Sequence, residues 1–387
     1  MSESRFLQLH FLTSYHASLL NRDDVGLAKR IPFGGASRIR VSSQCLKRHW
    51  RTHEGKHALS DIDGKELSVR SRRIFEEAIA QPLAEEHDEE LVRNALMKIQ
   101  DVVLGSSEAS DDPSDLETEQ VIILGRPEIE YLKELTLRAI EEASSPSEAQ
   151  DGADDLLDRD EKKNLRAMKE GAGIDAAMFG RMVTSDVLAR VDASVHVAHA
   201  FTVHEEEAES DYFTAVDELA AEDDELGSGH LNEAELTSGL YYGYLVIDVP
   251  LLVSNLSGVD RADWEDGDRE LAADVAGRMV NLIATVSPGA KLGSTAPYSY
   301  AQFLMAEAGD RQPRSLSSAF LEPVPKERGH LLDQSVNRLS DHLSEMDDMY
   351  GSEEERVYSA VGDPADVPAE PVDGVDSLSN WVRNQVQ

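Results

Sequence analysis

Residues Phe6–Ser14 read FLQLHFLTS, with Leu7, Leu9 and Phe11 alternating with Gln8 and His10. A period of two marks a strand with one buried face. Downstream, Arg38–Val41 predicts a short strand, and Ser42 or Ser43 then caps a helix running to about His53. A serine hydroxyl there accepts an amide that the first helical turn leaves unpaired. Leu19–Ser37 holds Asn21, Asp23, Asp24, Pro32, Gly34 and Gly35 and reads as a long loop. Strand character returns at Ala193–His204 (ASVHVAHAFTVH) and Gly239–Val249 (GLYYGYLVIDV). Arg269–Val286 is an amphipathic helix carrying Leu271, Val275, Met279, Leu282 and Ile283 on one side. Pro288-Gly289 turns the chain, and Pro297–Ala306 predicts a last strand. Stripped of insertions, the order is strand, helix, strand, strand, helix, strand. That is an α+β, ferredoxin-like arrangement, the fold of RNA-recognition domains.

Two insertions interrupt it. Gly55–Arg190 is acidic and helical, with helical spacing at Val69–Gln81, Glu86–Val103, Glu128–Glu142 and Asp160–Glu170. The hydrophilic stretches Gly105–Gln120 and Ala143–Asp155 between them lack the apolar area to order themselves and are expected to be mobile loops. Glu205–Ser238, with thirteen acids and no base, splits the central strand pair. His330–Tyr350 predicts a surface helix, Ser352–Ser377 a meandering loop, and Leu378–Gln385 a short closing helix.

Charge is distributed unevenly. The 387 residues carry 37 Lys plus Arg against 75 Asp plus Glu, a formal net charge of -38. Such a balance argues against nucleic acid as a partner, since phosphate binding needs positive charge. Yet residues 1–60 carry ten cations and four acids, and Val25–His53 contains seven cations and no acid at all. Val191–Asp260 inverts this, with no Lys or Arg in seventy residues. A basic island in an acidic chain is a focused field. Only 11 of the cations are Lys, and together with the acid excess this fits a salty cytoplasm, where repulsion is screened. No apolar run reaches the ~18–20 residues of a membrane span, and Met1–Arg5 lacks a signal-peptide pattern. Cys45 is the only cysteine, which excludes intrachain disulfides and cysteine-based zinc clusters. A cytoplasmic, soluble chain with no membrane partner is expected.

The capped helix carries the strongest chemical signal. Leu46, His49, Trp50 and His53 share one face and Gln44, Lys47, Arg48 and Arg51 another. The first face can pack on a sheet while the second points outward, with helix-start amides near Ser42 and Ser43 adding anion affinity. A basic face alone is more often plain solvated surface. With Lys29 and Arg40 arriving from the adjacent loop and strand, it becomes a candidate phosphate track. Gly34-Gly35 lacks the downstream Gly-Lys-Ser/Thr of a phosphate-binding loop, so nucleotide hydrolysis gets no support. Asp23-Asp24 beside Arg22 could hold a metal and cut RNA, but a metal site requires more ligands than one acidic pair. His196 and His204 would lie on one strand face about 26 Å apart, with His199 on the other, and cannot share a zinc ion unless the strand breaks. No catalytic, cofactor or metal site is expected. Tyr212-Phe213 stands among carboxylates, either packed on its own hairpin or presented as a surface for stacking on bases.

Several blocks carry a family resemblance: Leu20–Asp24, Phe33–Gly35, Arg40–Arg48, Gly180–Ser185, His199-Ala200, Phe213–Asp217, Pro288–Lys291 and Trp381–Asn384. In this order along the whole chain they resemble the CasC family, the backbone subunits of the type I-E CRISPR Cascade (the Cas seven family of Cse-type effectors). The resemblance implies a hand-shaped protein. An RNA-recognition-like palm would comprise residues 1–54, 191–204 and 239–387, with helical fingers at 55–190 and an acidic thumb hairpin at 205–238. It implies a non-catalytic subunit that polymerises with copies of itself along one CRISPR RNA. Target DNA would pair with that guide, beside large, small, capping and RNA-processing subunits. Carried over by position, the RNA contacts would be Asn21, Arg22, Lys29, Ser42, Gln44, Lys47 and Arg51, with Lys291 in a matching block. Met182 would wedge at a kink, and Tyr212, Phe213 and Thr214 would form the thumb contact. Relatives tend to be basic after Gly35, where Ala36-Ser37 are neutral here, and the thumb is unusually long and acidic. Glu205–Glu209 and Glu222–Glu225 should therefore face away from RNA. The rival is a metal-dependent RNA-cleaving backbone subunit of a type III-like complex using Asp23 or Asp24.

Overall fold

The computed structural model describes residues 4–63, 65–105, 112–157, 164–165, 170–181, 188, 190–216, 228–326 and 330–387. The chain forms two compact units, one from Met1–Ala58, His196–Asp248 and Ala273–Gln387, the other from Leu59–Val195 and Val249–Ala272. It is a mixed α+β protein built on a large, mostly antiparallel sheet.

In the first unit β1 (Phe6–Ser18) lies between β9 (Ser228–Asp248) and β10 (Ala301–Gly309), antiparallel to both. Both faces of β1 are buried, correcting the single buried face expected. Leu7, Leu9 and Phe11 lie on one; on the other Leu12, beside buried Gln8 and His10, joins Tyr242, Phe303 and Met305 in a core also filled by Val336, Leu339 and Leu343. Those three come from the helix α8 (Leu331–Tyr350). Phe11 lies directly over Gly243, its register partner, where a Cβ would fall 2.0 Å from the ring. A glycine inside a buried strand is the residue that admits such an approach. Beyond β9 come β7 (Ala200–Thr202), β3 (Ala36–Val41) and β2 (Arg30–Phe33); beyond β10 come β11 (Glu355–Ala360) and β12 (Glu370–Pro371). Three helices complete this account: α1 (Ser43–Arg51), α7 (Glu270–Thr285) and α9 (Gly374–Asn384).

Two stretches expected to be loops are strand. Arg30–Phe33 pairs with Ala36–Val41 around Gly34-Gly35, both at positive φ. Within Ser352–Ser377, β11 buries Val357 and Tyr358 against β10. The turn residues and prolines that argued for loops mark only the ends of these short strands.

The second unit holds β4 (Val69–Ser71) paired with β5 (Ile122–Leu124), and a π-helical segment, Ile74–Ala80. The predicted helix over Val69–Gln81 therefore begins as a strand. Helices α2 (Glu89–Leu104), α3 (Arg126–Ile140) and α4 (Pro146–Leu156) close around one apolar core. The helix α4 corrects the expectation of a mobile loop at Ala143–Asp155. Ser145 caps it by accepting from the Glu148 amide, and Ala149, Ala153 and Leu157 fall on one buried face at four-residue spacing. Alanine buries little area, so the composition hid a face that the spacing carries. Most of Asp160–Glu170 lies outside the described residues. Shorter elements include β6 (Val195–Val197), α5 (Ile174–Phe179) and α6 (Val249–Ser257). No helix among the described residues is long and apolar enough to cross a membrane.

Candidate nucleic-acid interface

The site begins at the start of α1. Ser42 caps the helix, its hydroxyl accepting from the Cys45 amide at 3.3 Å, while its own amide donates to Oδ1 of Asn21 at 2.9 Å. The Asn21 carbonyl accepts from the Lys29 amide at 2.9 Å, and the Lys29 carbonyl from the Arg40 amide at 2.8 Å. One chain of bonds thus fixes Asn21, Lys29, Arg40 and Ser42 around the N-terminal end of α1. Leu46 and Trp50 anchor the helix in the core, leaving Gln44 and Arg48 exposed and Lys47 and Arg51 half-buried. Burial pushes the Cys45 thiol up against the opposing pull of Lys29 and Arg48, so it stays protonated between those cations.

A distant segment completes the cluster. The Ala290 amide donates to the Leu19 carbonyl at 2.9 Å, and the Gly289 amide to Nε2 of His49 at 3.4 Å. These bonds bring half-buried Lys291 to the edge of α1. Arg40 donates to Nδ1 of His199 at 2.9 Å, which requires the tautomer with hydrogen on Nε2. Burial, then Arg40 and Lys29, lower the His199 pKa, so the ring stays a neutral acceptor.

Two cations of the basic island do not join the cluster. Arg38 is fully buried, donating to the carbonyls of Thr202 and Phe320 at 3.0 Å each. Arg30 pairs with Glu206 at 2.7 Å and with Glu235, and Glu235 also accepts from the Ala28 amide. Ser37, at a position where a base was expected, donates to Glu206 at 2.8 Å. These bonds tie the root of the β8 (Ala208–Val216) and β9 hairpin to β2 and β3. Glu206 thus pairs with Arg30, and Glu207 pairs with Lys326; Glu222–Glu225 lie outside the described residues.

Tyr212 sits on β8 opposite Glu233 with 63% of its surface exposed. It does not pack on the hairpin base. Phe213 and Thr214 are described only by their register, opposite Asn232 and Leu231, and Met182 lies outside the described residues. Arg22 is exposed at a bridge to Ala28. Asp23 uses Oδ1 to accept from the amides of Val25 at 3.1 Å and Leu27 at 2.9 Å. That is loop-stabilising work for a short carboxylate. Gly34 lies where a Cβ would fall 1.5 Å from the Leu321 carbonyl, so it serves a close approach of two backbone segments. His204 is buried between the Glu205 carbonyl and the Leu240 amide. Among the described residues no group of three His, Cys, Asp or Glu side chains is placed to hold a metal.

Sequence reasoning missed the support of His49, whose ring links α1 to the Gly289 turn. Its spacing on the apolar face was visible, but its partner 240 residues away was not.

A mostly antiparallel sheet bearing a cationic cluster on a capped helix defines a mixed α+β protein with a surface suited to a polyanion. The chain belongs to the family of CT1975-like proteins, whose profile matches residues 7–383. No curated protein matches it. Among solved structures it is similar to a chain of a "CRISPR RNA-guided surveillance complex, pre-nicking", at 24% identity over 99% of this chain and 100% of that one, with a TM-score of 0.79. A chain of a "CRISPR RNA-guided surveillance complex" is similar at 21% identity, TM-score 0.60 and the same coverage. At these identities the likeness establishes a shared fold.

Proposed function

We propose that this chain is a non-catalytic, CRISPR RNA-binding backbone subunit of a type I-E-like surveillance complex. It polymerises along the guide and presents it for pairing with target DNA. The observation that carries this reading is the convergence of three chain segments, residues 19–40, α1 and 289–291, into one cationic cluster on a chain of net charge -38. Guide pairing reads the target, so the backbone protein must hold RNA without regard to sequence. Phosphate contacts and an exposed aromatic such as Tyr212 do so, because both ignore base identity. Family membership and the fold shared with chains of RNA-guided surveillance complexes support the reading, as does the strand order β10-β1-β9-β7. With α1 following β1 and α7 following β9, that order is the one a ferredoxin-like palm requires.

Copies of the same chain, the other complex subunits and the CRISPR RNA are the implied partners. Co-expression with the products of flanking genes, followed by sequencing of bound RNA, tests the reading. It predicts CRISPR RNA in the purified complex and its loss in the Lys47→Glu, Arg51→Glu double variant. Incubation with matching RNA and magnesium tests the absence of catalysis, and cleavage at regular intervals would favour the type III-like rival.

A further inference from the structure

A cation needs no histidine beside it to hold a phosphate, yet Arg40 donates to Nδ1 of His199 at 2.9 Å within the cationic cluster. The backbone brings the same residue there independently. His199 immediately precedes β7, which pairs with β3 as Phe201 with Arg40 and Ala200 with Val41. Continued by one residue, that antiparallel register carries His199 toward Ser42, the cap of α1. Lys29 is also close enough to act on the ring, lowering its pKa alongside burial and Arg40.

The bond from Arg40 decides what the ring can do. Nδ1 is the acceptor, so the one ring hydrogen of the neutral imidazole lies on Nε2. Nε2 is the ring nitrogen farther from the backbone. It makes no hydrogen bond among the described residues, and His199 is exposed. A donor of fixed identity is therefore left unused beside two cations and a helix start, a setting that favours an anionic acceptor.

We propose that His199 is a phosphate ligand for the bound strand, its neutral Nε2–H donating to a non-bridging oxygen that Arg40 and Lys29 attract. This rests on the RNA-binding reading and adds a contact of another kind to it. A hydrogen bond to a charged acceptor is stronger than one between neutral groups. Because the imidazole carries no charge, the contact releases no counterion, and salt does not weaken it as it weakens the lysines and arginines. Arg40 acts twice on this account, as a cation itself and as the group that fixes the tautomer of its neighbour.

Two substitutions at this exposed position separate a ligand from a support for Arg40. In His199→Gln the side-chain amide reaches the place of Nε2 and can still donate outward, but the acceptor for Arg40 is gone. In His199→Asn the carbonyl oxygen replaces Nδ1 and still accepts from Arg40, but nothing reaches the place of Nε2. Fluorescence anisotropy of a labelled single-stranded RNA with the full chain, across a salt series, reads the difference. His199→Asn should bind about tenfold more weakly than wild type at every salt concentration, with an unchanged slope. His199→Gln should bind more tightly than His199→Asn. Asn at wild-type affinity, Gln no tighter than Asn, or a slope shallower by about 0.7 in the Asn variant would each overturn the ligand role, the last by showing that His199 acts through Arg40. Those results leave RNA binding by the wild type standing; absence of RNA binding by the wild type itself overturns the functional reading and this role with it.

Discussion

The proposed RNA-binding role implies a salt dependence that can be worked out from the structure. Seven cations lie between Val25 and His53. Arg38 is withdrawn by burial on two carbonyls and Arg30 by its pairs with Glu206 and Glu235. Lys29, Arg40, Lys47, Arg48 and Arg51 remain, and Lys291 and the exposed Arg22 join them, so on the proposed reading at most seven cations face the strand. On single-stranded nucleic acid each neutralised phosphate contributes about -0.7 to the slope of log affinity against log salt. The slope should therefore be no steeper than about -5, which weakens binding by a few thousandfold between roughly 0.1 and 0.5 M salt. Lys47→Glu with Arg51→Glu should make it shallower by about 1.4. Both side chains are half-buried, so circular dichroism of the double variant must first match that of the wild type. Fluorescence anisotropy of a labelled single-stranded RNA across a salt series reads both slopes. A wild-type slope of about -5.6 or steeper would mean that Arg30 or Arg38 reaches phosphate after all. An unchanged slope in the double variant would place the strand elsewhere and sink the argument.

Three other outcomes are expected. Glu206→Gln with Glu235→Gln releases Arg30, so RNA affinity should rise and the salt slope steepen by about 0.7; no change in the same anisotropy series would show that the hairpin root does not compete for this cation. Glu307 is fully buried and accepts from His10 at 2.9 Å, from Arg314 at 2.8 and 3.0 Å and from Arg356 at 2.8 Å; Glu307→Gln should cost about 3–5 kcal/mol in urea unfolding, because it leaves buried cations short of a partner. Burial alone would raise the Glu307 pKa, but the His10 bond and the Arg314 pair override it and hold the carboxyl well below the usual range. The unfolded chain then binds the extra proton, so this stabilisation is complete above the ordinary glutamate value of about 4.3 and fades as pH falls through the folded value. Wild type should consequently lose stability faster than Glu307→Gln on acidification. Tyr212→Ala should harm assembly on guide RNA more at high salt than at low salt, since apolar contact persists when charges are screened; sedimentation at two salt concentrations measures it, and a defect that shrinks with salt would contradict the role given to this ring.

Much of this was legible because strong periodicity survives tertiary context. The strand at Phe6–Ser14, the Ser42 cap and the Leu46–Trp50 face all appear where the sequence puts them, though Gln8 and His10 are buried as fully as the apolar positions they alternate with. The helix α4 was not legible, because its buried face is made of alanines in an acidic stretch. β2 and β11 were hidden for another reason: short strands owe their existence to a neighbour already in the sheet, and no local window shows that neighbour. The cationic cluster was readable as composition but not as geometry. Nothing local separates Arg38, fixed on distant carbonyls, from Arg40, two residues on and facing His199. Strand alternation places both side chains on the same face, so only their distant partners separate the buried guanidinium from the one beside His199.

The remaining difficulty is how a chain of net charge -38 tolerates a polyanion. Part of the answer is pairing. Glu206 and Glu235 are held by Arg30, Glu207 by Lys326, Asp175 by Arg70 and Glu307 by Arg314 and Arg356. Glu206 and Glu235 share the one guanidinium of Arg30, so half of their charge is neutralised at short range. Range supplies the rest. At physiological ionic strength the screening length is about 8 Å, so exposed acids farther away contribute little to the potential at α1. The segments that carry the cluster are bonded to one another through Asn21, Lys29 and Arg40. Local geometry, set by the cap at Ser42 and the bonds to Leu19 and His49, outweighs the global charge. Arg30 marks the boundary: it lies close enough to join the cluster, yet its acids assign it to the hairpin. The same acids that make the chain look unsuited to RNA thereby decide how many of its cations face the strand.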